Sequence, residues 1–356
     1  MKRLAIEKRE LLFNGTVFPA HPLCLDQNRN FDEDNQRLLT NYYIQSGAGG
    51  VAVGVHSTQF EIRLPEYNLY EKVLRISAEE VDKANLERPF IKIAGICGPV
   101  EQAIKEAELA VALGYDMGLL SMGGLHSLTE QQILERTQAV ANIIPVFGFY
   151  LQPSVGGRIF SYDFWSKFVN IDNVEAIKCA SFNRYQTLDV VRAIAHSPRK
   201  DNIALYTGND DNIVADLISI YRFNVNGKEE EVQFRGGLLG HWAVWTSKAV
   251  ELLDCIKDFK LNPTIEGWKH LQVLNNQTTD VNAALFDVAN DFHGCIPGIH
   301  EILVRQGLMK GIWCLNPDEV LSEGQADELT RVHADYPALN DDAFVKEFLN
   351  NYTVNN

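Results

Sequence analysis

The chain has 356 residues and a formal charge of −15, with 46% hydrophobic and 22% charged residues, the balance of a globular protein. The negative charge and the lack of a Lys/Arg-rich run exclude nucleic acid and anionic membrane surfaces as partners. No apolar stretch reaches transmembrane length and residues 1–10 carry charges, so we expect a cytoplasmic protein. The six scattered cysteines lack metal-ligand spacing, so we expect reduced thiols and no metal site.

From residue 16 onward, short β-branched runs alternate with stretches of helical periodicity, which is typical of βα units and a parallel sheet. Eight such units match the usual size of a closed (β/α)8 barrel, whereas an open doubly wound sheet more often uses five or six strands. The predicted strands cover residues 16–20, 50–55, 90–95, 115–120, 145–150, 174–178, 202–206 and 236–240. Predicted helices between them include residues 35–46, 100–113, 130–143, 188–196 and 243–256.

After about residue 261 the strand signal disappears and the pattern becomes helical. We therefore predict a (β/α)8 TIM barrel over residues 1–260 and a C-terminal helical extension over 261–356 that packs on the barrel. Within the extension, the predicted helices cover residues 281–292, 299–308, 319–330 and 342–350, with a glycine and proline break at 294–298.

Catalytic groups of such barrels stand at the carboxyl ends of the strands, which makes Lys178 the first candidate. It ends the predicted strand 174–178, where apolar neighbours would keep its ammonium group away from water. Desolvation lowers the pKa of a lysine and frees its amine to attack a carbonyl. The alternative is a lysine that extends from a strand end into solvent.

Tyr150 ends the predicted strand 145–150, one βα unit before Lys178 and therefore on a neighbouring strand. A phenol within hydrogen-bond reach of a reaction centre is a plausible proton shuttle for carbinolamine formation and for carbon–carbon cleavage. The alternative is a core tyrosine whose hydroxyl is satisfied elsewhere.

The two segments together resemble a known family. Residues 150–157 read Tyr-Leu-Gln-Pro-Ser-Val-Gly-Gly and residues 176–181 read Ala-Ile-Lys-Cys-Ala-Ser. They are similar to the Tyr-Asn-x-Pro-x-Arg-x-Gly and Gly-Ile-Lys-x-x-Ser motifs of the dihydrodipicolinate synthase and N-acetylneuraminate lyase superfamily, the class I aldolase barrels. The resemblance covers nearly the whole barrel, and it implies that Lys178 forms the Schiff base and that Tyr150 is the proton shuttle.

The sequence departs from the family where substrate is bound. After its second strand the family carries Gly-Thr-Thr-Gly-Glu, whose Thr-Thr pair binds the substrate carboxylate, and residues 55–59 here read Val-His-Ser-Thr-Gln. Ser57 and Thr58 are the candidate carboxylate ligands, and His56 binds substrate, shares a proton or is structural. The arginine that synthases place after the strand-five proline is replaced by Val155. Arg158 either compensates for it or forms a surface salt bridge.

The second tyrosine of the family, after strand four, is also missing, so dihydrodipicolinate synthase activity itself is doubtful. Polar and aromatic residues at or just beyond strand ends are candidates for lining a changed pocket, each with a structural role as its alternative. They are Gln152, Asn209 and His241, together with His126 and Trp242.

The resemblance implies a lyase or aldolase that condenses Lys178 with pyruvate or another 2-oxo acid, without a metal or an organic cofactor, and that forms a homodimer or homotetramer. Two rivals remain open. One is a catalytically inactive barrel that serves as a small-molecule sensor or scaffold. The other is a cofactor-dependent barrel enzyme, which the lack of a glycine-rich phosphate cradle after strands seven and eight disfavours.

Overall fold

The computed structural model describes residues 1–355, and its principal sheet has eight parallel strands in the order β1-β10-β7-β6-β5-β4-β3-β2. The eight strands alternate with helices, and the fold is a (β/α)8 TIM barrel with C-terminal helices, as predicted. The barrel strands are β1 (Val17–Pro19), β2 (Gly50–Val53), β3 (Ile91–Ile96), β4 (Met117–Leu120), β5 (Val146–Leu151), β6 (Val174–Ala180), β7 (Ala204–Thr207) and β10 (Phe234–Leu239).

The helices up to the last barrel strand are α1 (Ile6–Asn14), α2 (Glu33–Gln45), α3 (Tyr70–Lys83), α4 (Val100–Ala112), α5 (Glu130–Ala141), α6 (Tyr162–Phe168), α7 (Arg184–Ala195) and α8 (Ile213–Ile218). Those after it are α9 (Thr246–Leu261), α10 (Ile265–Leu285), α11 (Cys295–Arg305), α12 (Gln325–Asp335) and α13 (Asp342–Asn355). Helices α3, α4 and α11 are clearly amphipathic, because they bury one face of apolar residues and expose polar residues on the other.

The chain forms two compact units. The first comprises Met1–Thr16 and Ile91–Leu238, and it contains six barrel strands, with β6 paired to β5 on one side and to β7 on the other. Tyr206 at the centre of β7 donates its hydroxyl hydrogen to the Leu12 carbonyl at 2.8 Å and thereby ties α1 to the strands. The strands of this unit are buried on both faces, which explains why their sequences are almost continuously apolar.

The second unit comprises Val17–Phe90 and the chain from Leu239 onward, and it contains β1, β2 and the C-terminal helices. Asp341 lies just before α13 and is 2% exposed. Its carboxylate accepts hydrogen bonds from the Tyr42 hydroxyl at 2.7 Å and from the Gln306 amide at 2.8 Å. These two bonds join the start of the last helix to α2 and to the residue that follows α11.

The eight predicted strands are confirmed, with ends that differ by a few residues. The most consequential difference is at β6, where Cys179 and Ala180 continue the pairing with β5, so Lys178 stands two residues before the strand ends. An antiparallel hairpin, β8 (Tyr221–Val225) and β9 (Lys228–Val232), precedes β10 and was not predicted.

The predicted break at residues 294–298 is wrong, because α11 begins at Cys295 and includes Pro297 and Gly298. Proline is accepted there since the first turn of a helix has no intrahelical acceptor for its amide hydrogens. Helix α10 also begins well before the predicted 281–292. The boundary at residue 260 stays a prediction. Among the helices of the described residues, none is both long enough and apolar enough to cross a membrane.

Candidate active site

Lys178 lies on the inner face of β6, among residues of the two neighbouring strands that share that face. Its register partners are Phe149 on β5 and Tyr206 on β7. Residues paired in register in a parallel sheet direct their side chains to the same face. The Lys178 amine accordingly stands over the Phe149 ring, 4.3 Å from the ring centroid, and the residue is 8% exposed.

Burial lowers the pKa of the Lys178 ammonium to about 8, and the negative charge of Asp210 partly opposes this shift. A ring face attracts a cation, but it replaces only a small part of the hydration that the ammonium loses. At pH 7.5 roughly a quarter of the molecules therefore carry a neutral amine at this position. A neutral primary amine is the form that adds to a carbonyl.

Gly208, directly after β7, makes room for the lysine side chain. A Cβ atom at this position would lie 2.5 Å from Lys178 Cε and 2.8 Å from the Ala180 Cβ atom. Real Cβ contacts are not that short, so any other residue would displace the lysine from its place over the ring. Lys178 can therefore keep its position over the Phe149 ring only if residue 208 is glycine.

Tyr150 lies on the opposite face of β5 from the one that Lys178 shares. It pairs in register with Cys179, and its ring contacts the rings of Trp165 on α6 and Phe160 at centroid distances of 5.0 and 6.0 Å. Its hydroxyl oxygen accepts a weak hydrogen bond from the Phe160 amide at 3.5 Å, and burial raises the pKa of the phenol to about 12. No hydrogen bond joins this hydroxyl to the Lys178 amine in the described part of the chain, and the proton-shuttle role of Tyr150 stays a prediction.

Two further predicted residues of this unit form hydrogen bonds with other residues of the protein. The Asn209 amide donates to Asp216 at 2.8 Å, and its oxygen accepts from the Phe182 amide hydrogen at 3.0 Å. The Gln152 carbonyl accepts from the Gly157 amide at 3.0 Å and so closes the turn after β5. Both ends of the Asn209 amide therefore make hydrogen bonds within the protein, and its role in substrate binding stays a prediction.

Arg158 makes contacts with a backbone carbonyl and with an aromatic ring. Its guanidinium group donates to the Leu128 carbonyl at 2.7 Å and packs on the Phe160 ring, 5.1 Å from the centroid. No ion pair of this arginine is found in the described part of the chain, and its compensating role stays a prediction.

In the second unit, the predicted carboxylate ligands after β2 satisfy backbone groups. The Ser57 hydroxyl donates to the Ala20 carbonyl at 2.8 Å, and the Thr58 hydroxyl donates to the His21 carbonyl at 2.6 Å. Each hydroxyl has one hydrogen, so neither can donate to a carboxylate without breaking a bond that holds this turn. His56 is half-buried, with its ring 5.9 Å from the Phe60 ring.

His241 follows β10 in the same unit and is 7% exposed. Burial lowers the pKa of its imidazole to about 4, so the ring is neutral at physiological pH. Its ring centroid lies 6.1 Å from that of Trp245. Residues of the helices α9 and α10 lie near His241 in this unit.

The sequence analysis missed two members of the lysine's surroundings, Phe149 and Asp210. An acidic residue three positions after the seventh barrel strand was visible in the sequence, and its position beyond a carboxyl strand end is the signal that could have identified it. The role of Phe149 depends on its register with Lys178, which a sequence does not display.

The fold and the site together place the chain among the (β/α)8 barrels that carry a buried lysine of lowered pKa on the sixth barrel strand. The chain is 32% identical over 208 residues to a 4-hydroxy-tetrahydrodipicolinate synthase of Clostridium novyi, a match that covers 57% of this chain and 64% of that relative. No protein-family model matches the sequence.

Solved structures of the same fold agree with this match. A dihydrodipicolinate synthase from Bacillus anthracis superposes with a TM-score of 0.70 at 21% identity, over 90% of this chain and 97% of that one. An N-acetylneuraminate lyase from Fusobacterium nucleatum, complexed with pyruvate, gives 0.70 at 14% identity over 92% and 99%. This chain is therefore similar in sequence to a dihydrodipicolinate synthase, of which it spans less than two thirds, and it has the fold of the synthase and lyase structures.

Proposed function

We propose that this protein is a class I lyase or aldolase in which Lys178 forms a Schiff base with pyruvate or another 2-oxo acid. The observation that carries the proposal is the buried Lys178 amine, with its pKa lowered to about 8 and its place over the Phe149 ring. The relatives support it, because one is a synthase of this family and another binds pyruvate in its crystal structure.

In the proposed mechanism the neutral amine of Lys178 adds to the C2 carbonyl carbon of the 2-oxo acid and gives a carbinolamine. Proton transfer to its hydroxyl releases water and leaves an iminium ion. The positively charged nitrogen then accepts the electron pair that is released when C3 loses a proton or when the C3–C4 bond breaks. This leaves an enamine, which takes up a proton or bonds to an aldehyde carbon at C3 and so becomes an iminium again. Hydrolysis of that iminium with one water returns the amine and the product. The cycle balances without a metal or an organic cofactor.

Each of these proton transfers needs a group near the Lys178 nitrogen. Asp210 is the carboxylate whose charge acts on this amine. We assign the proton transfers to Asp210, directly or through water, in place of Tyr150. The assignment has a physical basis because Asp210 opposes the lowering of the lysine pKa, which means that the two groups interact through space.

A catalytically inactive barrel that serves as a sensor or scaffold is the second candidate. It is favoured by the position of the Tyr150 hydroxyl on the helix-facing side of β5 and by the hydroxyls of Ser57 and Thr58, whose hydrogens are already used. The 2-oxo acid partner, the homodimer or homotetramer and the cytoplasmic location belong to the first candidate and stay predictions with it.

The two candidates are separated by trapping with borohydride, which reduces an iminium irreversibly. The purified protein is treated with pyruvate and with a panel of 2-oxo sugar acids, and adducts are located by intact and peptide mass. We expect an adduct on the peptide that contains Lys178. Its rate of formation should rise about tenfold per pH unit below pH 8 and level off above it, because only the neutral amine reacts.

Two variants make the experiment specific. Lys178→Ala should give no adduct, while Lys92→Ala, which removes another buried lysine of a barrel strand, should react like the unmodified protein. Circular dichroism establishes that each variant is folded. If folded protein gave no adduct with any 2-oxo acid of the panel, the Schiff-base proposal would fail and the sensor or scaffold would be preferred.

A further inference from the structure

The end of α9 and the first half of α10 have little of their surface covered. From residue 254 to residue 277, a segment that we name the α9–α10 tip, the buried residues are Ile256 and Leu271. Large apolar side chains of the tip are nevertheless in contact with water. They are Leu261, Ile265, Val273 and Trp268, which are 77%, 74%, 52% and 48% exposed.

These exposed apolar side chains form a cluster. Within residues 1–352, no other stretch of thirteen residues exposes more than two large apolar side chains. Ile265 and Trp268 are neighbours on α10, because residues three apart lie on the same side of a helix. The Trp268 ring also lies 6.4 Å from the Phe259 ring of α9. Apolar residues exposed singly are normal, whereas a cluster marks a site of contact with a partner.

Helix α10 begins inside this exposed segment. The Thr264 hydroxyl accepts a hydrogen bond from the Gly267 amide at 3.0 Å and so caps the helix. Such local support is weak, since a helix in a protein takes most of its stability from packing its apolar residues against other elements. The first turns of α10 bury little within one copy of the chain. A partner that covers the tip would supply the missing packing.

The charge of the tip indicates that the partner is a second copy of this chain. The tip carries three carboxylates and three ammonium groups, so its formal charge is zero, whereas the whole chain carries −15. Two copies therefore repel each other over much of their surface but can approach through the tip. A strongly basic or acidic partner would find no net opposite charge there. The charged residues are Asp254, Asp258, Glu266, Lys257, Lys260 and Lys269.

The tip is also complementary to itself. In a two-fold symmetric contact the same surface serves both copies, so that each pair of residues meets twice. Glu266 and Lys269 stand one turn apart on the exposed side of α10 and form an ion pair at 3.0 Å within a copy. If two α10 helices meet antiparallel, with the two-fold axis between residues 267 and 268, the Glu266 carboxylate of each copy lies opposite the Lys269 ammonium of the other.

We propose that two copies of this chain associate through their α9–α10 tips, with Leu261, Ile265 and Trp268 at the centre of a two-fold symmetric interface. A standard interface uses about 20–30 residues of each partner, and the tip has that length. The inference does not depend on the proposed catalytic function, because it concerns only the surface of the second unit.

The test is sedimentation velocity of the full-length protein. Loading concentrations from about 1 to 100 µM bracket the dissociation constant that we expect, on the order of 10 µM. Ile265→Lys and Trp268→Lys should each halve the number of chains in the assembly, because the interface would bury an ammonium group without an opposite charge. The matched control is Ile6→Lys, which changes an isoleucine that is 77% exposed outside the tip and should leave the assembly unchanged.

A charge exchange tests the two-fold arrangement itself. Lys269→Glu should weaken association at least about tenfold, because like charges then meet twice across the interface. Glu266→Lys added to that variant restores opposite charges on both sides and should restore the affinity. Circular dichroism establishes that every variant is folded.

The proposal is overturned if the unmodified protein stays a monomer at the highest concentration. Sedimentation with vesicles of phosphatidylcholine and phosphatidylserine then tells whether the tip contacts a membrane instead. It is also overturned if Ile265→Lys and Trp268→Lys assemble like the unmodified protein, or if Ile6→Lys dissociates as they do. Failure of the double variant to associate would exclude the antiparallel two-fold contact.

Discussion

Lys178 and Asp216 are buried charged residues in neighbouring parts of the same unit. They differ in how many hydrogen bonds their surroundings provide. Asp216 is fully buried, and its carboxylate accepts from the Thr207 hydroxyl at 2.7 Å, from the Asn209 amide at 2.8 Å and from Arg184. Lys178 has an aromatic ring below it and a carboxylate that acts through space. The first charge is satisfied and stabilises the fold, whereas the second is left reactive.

Whether a buried polar group has hydrogen-bond partners distinguishes structural residues from candidate catalytic residues more reliably than residue type does. Asn209 was a candidate substrate ligand because it follows a barrel strand, yet it belongs to the satisfied group around Asp216. Conversely, Phe149 is an ordinary core residue by type, but its ring contacts the amine of the lysine that we assign to the reaction. Whether a polar group is satisfied can be tested by substitution, and the predictions below do so.

The largest effect is expected for Asp216→Ala. It leaves the Arg184 guanidinium and three other donors without this acceptor, so the free energy of unfolding should fall by about 4 kcal/mol. Urea unfolding followed by circular dichroism measures this. The control is Asp201→Ala, which removes a carboxylate with a side chain that is 92% exposed and should change stability by less than about 0.5 kcal/mol. Equal losses in both variants would contradict the comparison.

Thr58→Val should cost about 3 kcal/mol in the second unit. Its hydroxyl donates to the His21 carbonyl and accepts from the amides of Gly54 and Val55, and valine removes all three bonds, so that the His21 carbonyl keeps only the 3.4 Å bond from Ser57. Ser57→Ala removes a single donor and should cost about 1 kcal/mol. Both losses are read from urea unfolding. Loss of the borohydride adduct in folded Ser57→Ala would show instead that this hydroxyl binds substrate.

Lys178→Met should stabilise the protein by about 2 kcal/mol at pH 7 while abolishing the borohydride adduct. The folded-state pKa of about 8 lies below the unfolded value of 10.5, so below pH 8 folding is opposed by the full cost of burying the ammonium. This cost declines between pH 8 and 10.5. The gain from methionine should therefore shrink across that interval, as urea unfolding at pH 7 and pH 9.5 would reveal. A variant less stable than the parent at pH 7 would show that the lysine is satisfied after all.

The smallest effect is expected for Tyr150→Phe. Its hydroxyl accepts one weak hydrogen bond from Phe160 and faces α6, so the rate of adduct formation should change by less than about threefold. Single-turnover trapping with pyruvate gives this rate. A decrease of about a hundredfold in folded protein would mean that the phenol reaches the reaction centre and would restore the role that the family motif implies.

The sequence was sufficient to predict the barrel, because eight apolar runs separated by helical periods leave few alternative folds. It was not sufficient to predict the face that Tyr150 occupies. The strand around it is buried on both sides, so no alternation of polar and apolar residues indicates the inner face. The same limitation hid the contact between Lys178 and Phe149, while the position of Lys178 near a carboxyl strand end was predictable.

The C-terminal helices illustrate a different limitation. The first half of α10 exposes Ile265 and Trp268, which are 74% and 48% exposed, so its apolar residues do not mark a buried face. A periodicity argument fails there because it assumes that apolar residues point inward. The missed hairpin is different, since Asn226-Gly227 between alternating residues is a strong hairpin signal that was present in the sequence.

The β8–β9 hairpin is a suitable site for attaching a label or a tag to the protein. Asn226 and Gly227 both have positive φ, at 53° and 84°, and the tip is exposed. The hairpin enters the barrel at the amino end of β10, the edge opposite to the one where barrel strands present their reactive groups. A fluorophore, an affinity tag or new chain termini placed at this tip should leave Lys178 undisturbed. The hairpin tip is therefore a suitable site for immobilising the protein, at the end of the barrel strands opposite to that of Lys178.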